Sequence, residues 1–449
     1  MSDELLSLLD RIVADAEGQE GVEAYAVDQT ETTVKAYGGE VEALSSARTR
    51  GVGVRVVVGG RVGYAYTADL SESTLKATLR AARENASVST PDEANVLPAG
   101  GALEDLAELY DPAFEVSTPA DKVALALELE AAARAAGPPI RGIDTARYGD
   151  AVTVAAIAST AGVRGSYRRC DAYVLVEALA EADGSTSSAY GLDIARLPQG
   201  LDIEGAAREA TERAARLVGG RKPSSRRIPV LLDPFATASY LGVLAEGLSA
   251  EAVQRGRSLF AGKVGERLAG EHVTLIDDGR LLEGPAAAPW DGEGVLTGRT
   301  PLISSGVLAG FLHNSYTAAK DGVASTGNAH RGGYKSPPGL SPTNLFLEPG
   351  EDDQEALLAR AGEAFYCQQI LGAHSGANPI SGDFSVGAAG LMVRDGALAE
   401  PVREATIAGT IPEMLDGLVA VGSDLRFLPF GGGMGGVTLL IEGMTLGGE

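Results

Sequence analysis

The dipeptide Asp395-Gly396 stands between two short apolar runs, within LGAHSGANPISGDFSVGAAGLMVRDGALAEPVREATIAGTIPEMLDGLVAVGSD (residues 371–424), and constrains the local fold more tightly than any other feature. Asp-Gly between apolar runs favours a type I′ turn, because both central residues take positive φ, and so predicts a β-hairpin. A Pro-Val-Arg step at 401–403 and a capped helix over 411–419 follow. Just upstream, Ile380-Ser381-Gly382-Asp383-Phe384-Ser385 puts small and polar residues into a bend where backbone, rather than a bulky side chain, would meet a partner.

Taken in order, the chain begins with an acidic amphipathic helix, its Leu5, Leu6, Leu9, Ile12 and Val13 on one face, which is the opposite of a basic-then-apolar secretory signal. Strand-like alternation runs from Val22 to Tyr37, and Gly51 to Tyr66 reads as a hairpin around Gly59-Gly60. Asp69, with Glu72 three residues on, predicts a helix start. Residues 87–117 form a polar connection, Thr118-Pro119 starts a helix that Gly137-Pro138-Pro139 ends, and strands are expected over 151–160 and 170–180. A helix over 203–218 closes at Gly219-Gly220. The tract GGRKPSSRR (219–227) is the sharpest break in composition, and a linker is expected there. A strand over 228–232 and a helix from Pro234 come next. The remainder is strand-rich and turn-rich, with helices expected over 353–367 and 411–419 and no short-period repeat. The expected fold is α+β: an N-terminal mixed α/β domain with an antiparallel sheet and helices (1–218), and a β-dominated C-terminal domain (228–449). At 449 residues the chain exceeds the roughly 250–300 residues that one core supports, which also argues for more than one domain.

The net charge of −24, from 61 acids and 37 bases, argues against a phosphate-backbone partner. No apolar run approaches the ~20 residues that span a bilayer, so neither nucleic acid nor membrane is an expected partner, and the cytoplasm is the expected location. The two cysteines, Cys170 and Cys367, are too few and too far apart for a disulfide framework and read as core residues.

Catalytic chemistry leaves few candidates. The four histidines, His272, His313, His330 and His374, include no pair at the i, i+4 spacing that holds zinc on one helix face. Asp383-Phe384-Ser385-Val386-Gly387 misses a nucleophile elbow by one glycine and favours a bend. Cys367 with His374 offers a thiol and a base, although neighbouring Tyr366 and Ile370 mark that face as buried. Asp291 and Glu293 offer paired carboxylates, although solvated turn carboxylates are the commoner case. The glycine tract 431–436 lacks the ending of a phosphate loop and reads as a flexible loop before a strand.

The run SGDFSVGAAGLMVRDGALAEPVREATIAGT resembles the C-terminal signature of the TldD/TldE (PmbA/TldA) metallopeptidase family. Pro289-Trp290-Asp291-Gly292-Glu293-Gly294-Val295 and residues 300–329 resemble further blocks of it in the right order. In the TldD branch, the helix opening the C-terminal domain carries His-Glu, three residues, then His. Laid on that pattern, LGVLAEGLSAEAVQ places Ala245 and Ala250 at the histidines and keeps Glu246, and no cysteine occurs near the C-terminus, which is the TldE/PmbA pattern. The resemblance implies a subunit with no catalytic residue and no metal ligand or cofactor of its own. A TldD-type partner would carry the zinc in a heterodimeric peptidase acting on unfolded or modified peptides. On this reading the bend and the glycine tract are expected to line the chamber or the subunit interface, with Ser381, Gly382, Asp383, Ser385, Gly432 and Gly433 at the substrate or partner. Three alternatives stay open: a gyrase-modulator type regulatory or peptide-binding protein, an independent hydrolase using Cys367 or Ser385, and a metal site of scattered carboxylates and histidines.

Overall fold

The computed structural model describes residues 2–101, 103, 106–429 and 432–448. The chain opens with helix α1 (Ser2–Ala14), strands β1 (Gly21–Tyr37), β2 (Glu40–Val58) and β3 (Arg61–Thr67), and helix α2 (Glu72–Val88). The same succession then recurs as α3 (Pro119–Ala135), β4 (Ile140–Ser159), β5 (Arg164–Ala182), β6 (Ser185–Ala195) and α4 (Ile203–Leu217). The six strands form one antiparallel sheet in the order β3-β2-β1-β4-β5-β6, so two helix-meander-helix halves meet at a β1–β4 seam. Its period is too long, and its two copies too different in sequence, to show as a short repeat.

Both halves rest on the same alternation. Val22, Ala24, Val54 and Val56 point toward α1 and α2, and Ala146, Tyr148, Val174 and Val176 toward α3 and α4, so the helices cover one face of the sheet. In each half a glycine on the third strand lets the following helix touch the sheet. A Cβ on Gly63 would stand 1.9 Å from the Ala82 carbonyl oxygen, and one on Gly191 2.0 Å from that of Ala206. On the opposite face, Tyr25, Ile157 and Val163 pack against Trp290 and Tyr334 of the C-terminal half. Farther along that face, Thr33, Thr153 and Tyr173 are half-buried.

Helix α3 begins as predicted, with a reciprocal Thr118–Asp121 capping box. Helix α2 does not begin at Asp69: that carboxylate accepts the Ser71 N–H at 2.9 Å and the Thr74 hydroxyl at 2.8 Å, and the helix starts at Glu72. The strands expected over 151–160 and 170–180 are parts of the much longer β4 and β5.

Residues 218–225 lead into β7 (Arg226–Leu232) and α5 (Pro234–Gly247), whose N-cap Asp233 accepts the Ala236 N–H at 2.8 Å. Strands Ala364–Leu371, Asp383–Arg394, Ala397–Thr410 and Leu439–Gly447 join β7, and pairing between the last two closes the ring into a barrel. The hairpin turns at Asp395 (φ 50°) and Gly396 (φ 76°), as the Asp-Gly pair predicts. A second sheet, which includes Leu275–Asp278 and Gly433–Gly436, shares a continuous core with the barrel and α5. Two expected helices are shorter than their patterns. The 353–367 helix ends at Ala361, where Gly362 turns at φ 65°, and the aromatic run Phe365-Tyr366 becomes a barrel strand carrying Cys367. The 411–419 helix ends at Asp416, and Leu418–Val421 pairs with Leu439–Gly447. The fold is α+β, and no helix among the described residues is long and apolar enough to cross a membrane.

Candidate functional site

A groove of about 630 Å³ runs over the exposed side of α5. Its floor is small: Gly242 and Ala245 of α5, then Ala252 of the short helix Ala250–Gln254. Its ionisable groups are Glu246, Glu251, Arg255, Arg257 and His374, and Pro379 and Met434 close it from the barrel and the second sheet. Arg255 is paired with Glu251 at 2.6 Å. Helix α5 is held at its N-terminus by a buried ion pair between Arg213 of α4 and the N-cap Asp233, with Arg213 also donating to the Gln368 carbonyl at 2.8 Å.

The donor set of this groove does not fit a zinc ion. Ala245 and the fully buried Ala250 offer no ligating atom, Glu246 is exposed, and among the described residues no group of three His, Cys, Asp or Glu side chains is placed to hold a metal ion.

The two segments singled out in the sequence reach the groove by their neighbours. Pro379 precedes the bend at Ser381 and Gly382, and Met434 follows Gly432 and Gly433. Gly382 is buried with φ 84°, and the Ser381 hydroxyl donates to Asp383 at 2.6 Å. Asp383 and Ser385 already belong to a barrel strand, both exposed. Gly432 lines a separate cavity of about 260 Å³ between the two halves, whereas Gly433 is buried and begins a strand of its own. The first residue of the tract, Gly431, lies outside the described residues.

Cys367 is fully buried in the barrel, and burial pushes its thiol pKa far up, so it holds no thiolate nucleophile. His374, its proposed base, sits exposed in the α5 groove.

Asp291 and Glu293 are buried, against the expectation of solvated turn carboxylates, and neither is free to act as an acid–base pair. Asp291 accepts the backbone N–H groups of Glu293, Val295 and Ala329 at 2.9–3.0 Å. Glu293 accepts Arg55 at 2.7 Å and the Ser315 N–H at 2.9 Å. Arg55 also binds Glu23 at 2.6 Å, and Glu23 binds Arg331. This alternating chain of four buried charges stitches β1 and β2 to the C-terminal half. Its sequence signal is a single charge inside an apolar strand, Glu23 in GVEAYAV and Arg55 in VGVRVVV.

Burial, followed by the neighbouring Glu293 charge, pushes the Asp291 carboxyl up to about 7, against the pull of its three N–H donors. A carboxyl raised on folding holds a proton that the unfolded chain has already released. Its stabilising effect is complete below the unfolded value of about 4 and is lost as the pH rises through 7. The unfolding midpoint is therefore expected to fall between about pH 4 and 7 and level off above that, with a flatter profile in Asp291→Asn; parallel profiles would show Asp291 ionised throughout.

Three family models match the chain: the PmbA/TldA metallopeptidase domain 1 at residues 22–86, the central domain at 113–218 and the C-terminal domain at 225–448. Metalloprotease PmbA of Escherichia coli O157:H7 is 28% identical over 415 residues, covering 91% of this chain and 88% of its own. The crystal structure of a candidate modulator of DNA gyrase from Thermotoga maritima superposes with a TM-score of 0.89 at 28% identity, covering 98% of this chain and 99% of its own. TldE from Thermococcus kodakarensis shares the fold, with a TM-score of 0.87 at 22% identity over 99% of each chain. With its three domain models in the family's order, and the α5 groove within the third, the chain belongs to the PmbA/TldA metallopeptidase family.

Proposed function

We propose that this chain is the non-catalytic, TldE/PmbA-like subunit of a two-chain cytoplasmic peptidase that cleaves unfolded or modified peptides. The observation that carries this reading is the α5 groove. The groove is open to solvent with Glu246 exposed in it, while Ala245 and Ala250 stand where the resemblance puts the histidines of the family's zinc-binding helix. A TldD-type partner supplies the zinc and the catalytic glutamate; this chain supplies walls. The α5 groove accepts a peptide in extended form, held through its main chain, a mode that asks for little sequence specificity.

Peptide cleavage by the purified chain alone, and after mixing with a TldD-type protein of the same organism, tests the proposal. Cleavage and stoichiometric zinc are expected only in the mixture. Cleavage by the isolated chain would overturn it. The resemblance to a candidate gyrase modulator keeps a second reading, a regulatory binding protein without peptidase activity, which absence of cleavage in the mixture would favour.

A further inference from the structure

Strand β2 is the middle strand of its half, yet only part of it has two neighbours. Residues 52–57 pair with β1 on one side and β3 on the other, whereas residues 40–50 pair with β1 alone. Among the described residues, no strand or loop bonds to the outer edge of this arm, and residues 40–49 are exposed on both faces. The second half treats the equivalent stretch differently. Residues 164–171 of β5 also lie beyond the reach of β6, which pairs with residues 172–182. There the connection between α2 and α3 covers the strand. The Cys170 thiol faces the Leu109 carbonyl at 3.8 Å, and Arg168 stacks 3.7 Å from the Tyr110 ring centre and binds Glu115 at 2.6 Å. The arm of β2 has no such cover, and neither proline nor lysine guards it. Its outward main-chain N–H and C=O groups are left for another strand to meet.

The side chains along the arm say which strand. They read EVEALSSARTR (40–50), acidic at one end and basic at the other. Outward-pointing and inward-pointing main-chain groups alternate, so an antiparallel neighbour of the same sequence must set odd residues opposite odd and even opposite even. Of such registers, the one centred on Ser45 sets Glu40 against Arg50 and Glu42 against Arg48, each pair twice, with Ala43 against Ala47 and no like charges opposed. A slip of two residues either way halves the Glu–Arg pairs. Within the chain, Arg48 and Arg50 share Asp28 at 2.6 and 3.2 Å, Arg50 also reaches Glu4 at 2.9 Å, and Lys35 holds Glu42 at 2.8 Å. The Arg48 and Glu42 side chains nonetheless stay 54% and 45% exposed, with donors and lone pairs to spare.

We infer that the arm pairs with the same arm of a second copy of this chain, antiparallel about a two-fold axis through Ser45, and joins two six-stranded sheets edge to edge. The contact is isologous, so it closes on itself and uses up both bare edges. It stands apart from the peptidase reading, since no residue of the arm lines the α5 groove.

The test is sedimentation velocity of the full chain over a concentration series reaching about 100 µM, because an edge contact of this size belongs with weak interfaces. A rise toward twice the 46.0 kDa chain mass is expected. Arg48→Glu with Arg50→Glu, and separately Glu40→Arg with Glu42→Arg, are each expected to weaken self-association about tenfold or more, and the two variants mixed are expected to pair again. Both are checked for an unchanged unfolding midpoint. Cysteine placement reads the register without any change of charge, and decides the matter where a charge variant shifts the midpoint. Under oxidation by diamide, Ser45→Cys is expected to link to itself, whereas Ala43→Cys and Ala47→Cys link to each other and not to themselves; the native Cys170 and Cys367 are buried. A monomer at every concentration, self-association unchanged in both charge variants, no pairing on mixing them, or links in another register would each overturn the inference. A monomer that forms a cleaving mixture with a TldD-type chain would sink this inference alone. A dimer that gives no cleavage there would sink the proposed function alone.

Discussion

Arg55→Ala is expected to lower the free energy of unfolding by about 3–5 kcal/mol, the usual cost of removing one partner from a buried ion pair. Arg55 is 7% exposed and lies between Glu23 and Glu293, each 1% exposed, so deleting the guanidinium leaves two carboxylates in a dry site. Glu23 keeps Arg331 and Glu293 keeps the Ser315 N–H, which should hold the loss short of complete unfolding. Denaturant titration read by tryptophan fluorescence is the measurement, because Trp290, the chain's single tryptophan, packs in the small core between the two halves. A loss below about 1 kcal/mol would show that the chain of charges is solvated, as surface pairs are.

Gly191→Ala is expected to cost about 1–3 kcal/mol, the range for forcing an extra carbon into a packed site. The new Cβ would meet the Ala206 carbonyl at 2.0 Å and the Ala210 nitrogen at 2.7 Å, both helix backbone that cannot step aside as a side chain can. Gly63→Ala should show a loss of the same order, because its Cβ would meet Ala82 and Ala86 of α2 in the same way. Gly142→Ala on β4 is the control: a Cβ there meets nothing within 4 Å, and a neutral or slightly stabilising effect is expected. Equal effects at all three positions in urea titrations would mean that strand propensity, and not the helix–strand contact, sets the cost.

Much of this fold could be read from local chemistry. The Asp395-Gly396 turn, the Thr118-Pro119 helix start and the alternation in β1 each state a structure within a few residues. The errors arose where two signals of different period adjoin. After Ala361 the helical pattern runs without a gap into Phe365-Tyr366-Cys367, and only the left-handed Gly362 marks the change to a strand. Tertiary pairing settled it, since β7 lies beside that strand in parallel register. At the site, Ala245 and Ala250, which the proposed reading sets at the family's histidine positions, were visible in the sequence. The company kept by Asp291 and Glu293 was not, because their partners Ala329, Ser315 and Arg55 are distant in the chain and a carboxylate in a glycine-rich turn looks solvated until something covers it.

The duplicated halves of the N-terminal sheet also bear on how that sheet assembles. As separate molecules, two such three-stranded units would each expose β1 or β4 as a long bare edge, open to whichever strand arrived first. In one chain, the stretch between α2 and α3 makes the β1–β4 encounter intramolecular. Tethering of this kind supplies an effective concentration on the order of millimolar. The seam therefore closes at a rate independent of how much protein is present, and the edges most open to mispairing are consumed within the molecule that carries them.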